Sequence, residues 1–127
     1  MLIPAYNEQD RIGETLTTYA QYFSQYHGGR WKIIVILNGC RDATLEVVQH
    51  HARMEPRIRA LEFKAPIGKG GALIQGLRLE SESDFIGYTD ADGATPPAAM
   101  LHLLKICATD LQTAAVIGSR WLPGAKL

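Results

Sequence analysis

The chain reads as an open α/β sheet of mostly parallel strands, and three observations predict it. Short apolar runs alternate with stretches of helical periodicity along the whole length. The longest run, Trp31 to Leu37, is continuous and β-branched, as a strand buried on both faces must be. Polar residues gather just after the strand runs, where open sheets of this class bind ligands.

The elements follow in order. Met1-Leu2-Ile3 is a short strand closed by Pro4. From about Asp10 to Tyr26, the residues Ile12, Leu16, Tyr19, Ala20 and Phe23 recur at helical spacing, and Gly28-Gly29 is expected to end that helix. After the strand Trp31–Leu37 and the loop Asn38–Asp42, a second helix spans about Ala43 to Met54, with Leu45, Val48 and Ala52 on one face and Pro56 beyond it. Ile58 to Phe63 alternates as a half-exposed strand. Pro66-Ile67-Gly68-Lys69-Gly70-Gly71 leads into a helix carrying Ala72, Leu73, Leu77 and Leu79. Phe85 to Thr89 is expected as a fourth strand and Ala114 to Gly118 as a fifth. Between them Pro96-Pro97 opens a helix through Cys107, since proline suits a first helical turn. The order is β-α-β-α-β-α-β-α-β, with right-handed crossovers.

With 127 residues, 46% hydrophobic and 20% charged, the chain is expected to be one soluble globular unit. A net charge of +0 offers no basic footprint, so nucleic acid is excluded as a partner. No secretory signal is legible, and no apolar run approaches the ~20 residues of a membrane span. Cys40 and Cys107 lack metal-ligand spacing, which makes a reducing cytoplasm the default. Both chain ends fall close to strand runs, so a piece of a larger domain is expected.

Tyr88-Thr89-Asp90-Ala91-Asp92-Gly93 carries the most chemistry. Asp90 and Asp92, two residues apart at a strand end, emerge on one face and repel each other. A hard divalent cation removes that conflict, because Mg²⁺ or Mn²⁺ is commonly held by one or two carboxylates plus substrate phosphates. The alternative is an ordinary turn, in which Asp bonds its own backbone and Gly takes positive φ. A calcium loop is excluded, because the twelfth position from Asp90 is Leu101 where a bidentate Glu belongs.

Five segments in order, Ile3-Pro4-Ala5-Tyr6-Asn7-Glu8, Asn38-Gly39-Cys40-Arg41-Asp42-Ala43-Thr44, Gly68-Lys69-Gly70-Gly71-Ala72, Asp90-Ala91-Asp92-Gly93-Ala94-Thr95 and Ile117-Gly118-Ser119-Arg120, resemble glycosyltransferase family 2. The likeness covers essentially the whole chain and is nearest to dolichyl-phosphate mannose and glucose synthases and polyprenyl-phosphate glycosyltransferases. It implies a GT-A fold, a Rossmann-like three-layer sandwich truncated at its C-terminal side. Residues 1–127 would then form the nucleotide-sugar-binding part, with the acceptor-binding part absent.

By the same resemblance, Pro4, Ala5, Tyr6 and Glu8 line the nucleoside pocket, with Glu8 accepting ribose hydroxyls, while Ile36 and Asn38 border the base. Lys69 and Arg120 approach the diphosphate or sugar, Asp92 is the direct metal ligand, and Asp90 with Ala91 reaches the ribose or the metal. The family usually reads Asp-Asp-Gly-Ser where this chain has Leu37-Asn38-Gly39-Cys40. An Asn both donates and accepts, which leaves the base open. Asp42 is equally suited to capping the next helix, and Lys69 to a solvated loop.

The implied reaction is inverting transfer of a hexose from a UDP- or GDP-linked sugar to an acceptor, in one case a polyprenyl or dolichyl phosphate, with Mg²⁺ or Mn²⁺. No acid follows Asp110, so a downstream general base is absent here. A homo-oligomer or a partner covering the missing half is expected, and the full-length protein is expected at the cytoplasmic face of a membrane. The alternatives are a nucleotidyltransferase, which would carry a Gly-rich loop after the first strand, and a non-catalytic nucleotide-binding or interaction fragment.

Overall fold

The computed structural model describes residues 1–119 and 121–125. Its elements are β1 (Leu2–Ala5), α1 (Ile12–Tyr26), β2 (Ile33–Asn38), α2 (Thr44–Met54), β3 (Ile58–Phe63), α3 (Gly68–Leu79) and α4 (Pro97–Thr109). The three strands form a parallel sheet with β2 in the middle. Leu2 pairs with Ile34 and Ile33 with Ile58.

Side-chain alternation along β2 builds two cores. Ile33, Val35 and Leu37 join Ile3, Ala5 and Ile58 under Ile12, Leu16, Tyr19 and Phe23 of α1 and Val48 of α2. Ile34 and Ile36 join Leu2 on the other face under Ala72 of α3. Both faces of β2 are therefore covered, which is why its sequence is continuously apolar. α4 packs on α1, so α1, α2 and α4 lie on one side of the sheet and α3 on the other. Gly76 lets α3 approach closely, since a Cβ there would lie 2.7 Å from Ile36 Cδ1 and 2.8 Å from Leu2 Cδ1.

The Phe85–Thr89 segment lies beside β1, on the edge away from β2. It pairs by a single parallel bridge, Leu2 with Tyr88. Leu2 N–H donates to Gly87 O at 2.8 Å and Thr89 N–H to Leu2 O at 3.1 Å. The fourth strand is thus placed as expected but shortened. Spatial order reverses at β1, with β2 on one side and this segment on the other, and such a switch point opens a crevice beyond the carboxyl ends of the strands.

The expected fifth strand does not form. Residues 114–118 have no regular structure, and Ile117 is 81% exposed. A strand exists only as part of a ladder, and this run has no paired neighbour among the described residues. α1 also ends differently: His27 turns to an extended conformation before the glycines, so neither glycine serves as a left-handed cap.

The amino ends of the strands are closed. The Arg57 guanidinium lies 3.9 Å from the Trp31 ring centroid, Phe23 meets Trp31 edge-on, and Lys32 pairs with Glu80. The carboxyl ends are left to loops rich in polar groups.

Candidate functional site

Two loops at the carboxyl ends of β1 and β2 are laced together by side-chain to backbone bonds. Asn7, the one non-glycine residue with positive φ (52°) among the described residues, accepts Arg41 N–H at 2.8 Å. Gln9 Oε1 accepts Ala43 N–H at 2.9 Å, and Thr44 Oγ1 accepts Glu8 N–H at 2.8 Å. Asp42 accepts Gln9 N–H at 3.2 Å and Thr44 N–H at 3.0 Å. Burial would raise the Asp42 carboxyl, but bonds from the Thr44 hydroxyl and from backbone N–H groups outweigh it and hold the group below its ordinary value. Asp42 therefore joins the first loop to the entry of α2, although Ala43, not Asp42, is the N-cap position and no side chain caps that helix.

This lacing presents Tyr6, which is exposed, and Glu8 at the edge of the crevice. Glu8 does not stand free. Its two oxygens accept Arg11 Nε at 2.8 Å and Arg11 Nη2 at 2.9 Å. Pro4 and Ala5 lie within β1, and the Ala5 carbonyl accepts the Cys40 thiol at 3.4 Å.

Ile36 is a correction. It was expected to border the base, but its side chain is fully buried against α3 in the core with Leu2 and Ile34. The cause is alternation: Ile36 points to the face that α3 covers. Asn38 ends β2 with its Oδ1 accepting Ile67 N–H at 2.7 Å.

The acidic loop follows the Tyr88 bridge. Asp90 Oδ1 accepts the Lys69 ammonium at 2.5 Å, an ion pair between two side chains each 57% exposed. Bonding to Asp90 holds the Lys69 ammonium above its ordinary range. Asp92 Oδ1 accepts Ala94 N–H at 3.0 Å, and Gly93 takes φ 74°, so the turn reading of this motif is realised at Asp92. Asp92 also lines a cleft with Arg11, Glu14, Thr18 and Pro97. The buried Ala91 gives its carbonyl to Thr15 Oγ1 at 2.9 Å, and Tyr19 donates to the Thr95 carbonyl at 2.7 Å.

The structure therefore brings Lys69, Asp90 and Asp92 to one loop cluster, with Tyr6 and Glu8 on the neighbouring strand end. Arg120 lies outside the described residues. Sequence reasoning missed Thr15 and Tyr19 as holders of the acidic loop, and Asn7, Gln9, Thr44 and Arg11 as partners of the first two loops. The legible signal was a Thr inside an apolar helical face.

No group of three His, Cys, Asp or Glu among the described residues is arranged to hold a metal. Two neighbouring carboxylates at a loop still match what Mg²⁺ or Mn²⁺ requires of a protein when phosphate oxygens and water complete its octahedron.

Comparison with known proteins gives the family. The chain is 37% identical to a dolichyl-phosphate beta-glucosyltransferase of Trichomonas vaginalis over 98% of its own length and 39% of the relative's. It is 31% identical to the dolichyl-phosphate beta-glucosyltransferase of Saccharomyces cerevisiae over 94% of its length and 40% of the relative's. A mannosyltransferase of Pyrobaculum calidifontis, solved in complex with GDP-Man and Mn²⁺, superposes with a TM-score of 0.65 at 25% identity, covering 84% of this chain and 31% of that one. The chain thus spans about two fifths of these curated relatives. Residues 1–125 match the profile named Glycosyl transferase family 2, and the chain belongs to that family.

Proposed function

We propose that this chain holds the donor in the transfer of a hexose from a nucleoside diphosphate sugar to a lipid phosphate, with inversion and with Mg²⁺ or Mn²⁺. The observation that carries the reading is the Lys69–Asp90 pair at the mouth of the crevice beside β1. It puts a cation for phosphate oxygens next to a carboxylate for metal. The dolichyl-phosphate glucosyltransferase relatives and the neighbour holding GDP-Man and Mn²⁺ support it.

In this reading Tyr6 lies against the base or ribose, flanked by the Pro4-Ala5 backbone. Glu8, with Arg11 fixing its orientation, offers its remaining lone pairs to ribose hydroxyls. Asp92 ligates the metal directly, and Asp90, with the Ala91 backbone, reaches the ribose or the metal through water. Lys69 and Arg120 meet the diphosphate. The bound cation supplies neutralisation of the charge that develops on the departing nucleoside diphosphate. An acceptor phosphate oxygen attacks the anomeric carbon as the bond from that carbon to the diphosphate oxygen breaks with its electron pair. Such an acceptor is already ionised and needs no base. No helix among the described residues is long and apolar enough to cross a membrane. We place the reaction on the cytoplasmic face of a membrane, with a further segment or a second subunit supplying acceptor contacts.

The test is calorimetric titration with UDP-glucose and GDP-mannose, with and without Mn²⁺. Binding that requires Mn²⁺ is expected for one of them. Equal binding without metal, or none with either sugar, would overturn the reading.

A further inference from the structure

We propose that Asn38 is a positioning residue that acts through the first turn of α3, holding Lys69 at the acidic loop, a role that rests on the donor-binding reading above. Asn38 is buried at the end of β2, and its side chain meets the backbone N–H of Ile67 at 2.7 Å. The atom facing an N–H must be the amide oxygen, so the remaining NH₂ can only donate. One lone pair of Asn38 Oδ1 is thus committed to Ile67. An Asp in its place would keep a second oxygen as a further acceptor.

Ile67 is the N-cap of α3, and no side chain caps that helix. Two residues on, Lys69 reaches Asp90. Gly39 reinforces the same junction: it takes φ 70°, donates its N–H to Phe63 O at 2.8 Å, and leaves only 2.8 Å between a hypothetical Cβ and Pro66 N. The end of β2 is thus docked on the segment 63–67 at consecutive points, and Asn38 supplies its one side-chain bond. A Cβ at Gly68 or Gly70 would meet nothing within 4 Å, so the backbone on either side of Lys69 borders open space. Without the Asn38 bond, the first turn of α3 loses its side-chain tie to β2, while the helix beyond it stays packed through Ala72.

The experiment compares Asn38→Ala, Asn38→Asp and Lys69→Met with the wild type. Without ligand, amide hydrogen exchange at Ile67 should quicken roughly two- to tenfold in Asn38→Ala, in line with loss of one hydrogen bond, and stay near wild type in Asn38→Asp, which keeps the acceptor. With Mn²⁺, UDP and GDP should bind Asn38→Ala roughly three- to tenfold more weakly, while uridine and guanosine bind it unchanged. Asn38→Asp should restore the diphosphates. Adding Asn38→Ala to Lys69→Met should cause little further loss, because both act on one group. Unchanged exchange at Ile67 in Asn38→Ala overturns the role, as does an equal loss for nucleosides and diphosphates. If no diphosphate binds the wild type, the donor reading fails, and exchange at Ile67 still decides whether Asn38 holds the turn.

Discussion

The hydroxyl of Thr15, in the first turn of α1, donates to the carbonyl of Ala91 at 2.9 Å and so ties the helix to the residue between the two acids. One turn later Tyr19 donates to Thr95 at 2.7 Å. The acidic loop is therefore held from below by two hydroxyls at i and i+4 on a face that is otherwise apolar. Thr15→Val keeps the shape and removes the donor, leaving the buried Ala91 carbonyl unpaired. A loss of about 1–3 kcal/mol in urea unfolding is expected, with a similar loss for Tyr19→Phe. Unchanged midpoints at unchanged slope in both variants would show that the loop stands without α1.

Gly39→Ala should be worse than an ordinary loop substitution. Its φ of 70° strains any L side chain by roughly 1–2 kcal/mol, and the new Cβ would lie 2.8 Å from Pro66 N and 3.0 Å from Pro66 Cα. Backbone cannot rotate aside as a side-chain tip can. The variant is expected to lose about 2–4 kcal/mol by thermal or urea unfolding. Gly28→Ala, with open space around it, is the control that should change little.

Acid should unlace the loops. Asp42 is held below its ordinary 3.8 because bonds from Thr44 and Gln9 outweigh its burial. Hydrogen bonding from Arg57 draws Glu55 from 4.5 to about 2 against a smaller effect of burial. Both pKa values are depressed on folding. Their stabilisation is therefore fully present above the ordinary values and is lost as pH falls through the folded ones. Urea stability measured from pH 6 downward should decline between about 4.5 and 2, with a shallower slope in Asp42→Asn and Glu55→Gln. Equal slopes in wild type and both variants would remove these two groups from the acid response.

What was legible in the sequence is what periodicity controls. The unbroken Trp31–Leu37 run anticipates β2 between two cores, and the apolar spacing from Ile12 to Phe23 anticipates α1 to within two residues. Periodicity is blind to which face a given residue takes when both are apolar, so Ile36 reads equally well as pocket edge or core. It also cannot supply a neighbour: Ala114–Gly118 has the composition of a strand, but a ladder needs a partner edge. At the site, residue type marked Asp90, Asp92 and Lys69. Whom each side chain bonds depends on contacts across distant segments. Thr15 meets Ala91 across 76 positions, and Asn38 meets Ile67 across 29.

Lys69→Met separates the two uses of Asp90. In the ligand-free chain the ammonium lies on Asp90 Oδ1, and in the donor-binding reading it would repel a divalent cation held at the same loop. Removing the charge should tighten binding of Mn²⁺ alone by about three- to tenfold, a modest gain because the pair is more than half exposed and well screened. The same variant should weaken a nucleoside diphosphate in the presence of saturating Mn²⁺, because the diphosphate loses its cation. The two effects have opposite signs, so a general loss of folding cannot imitate them. A solvated loop lysine would move neither, and calorimetry that finds both affinities unchanged would reduce Lys69 to that role.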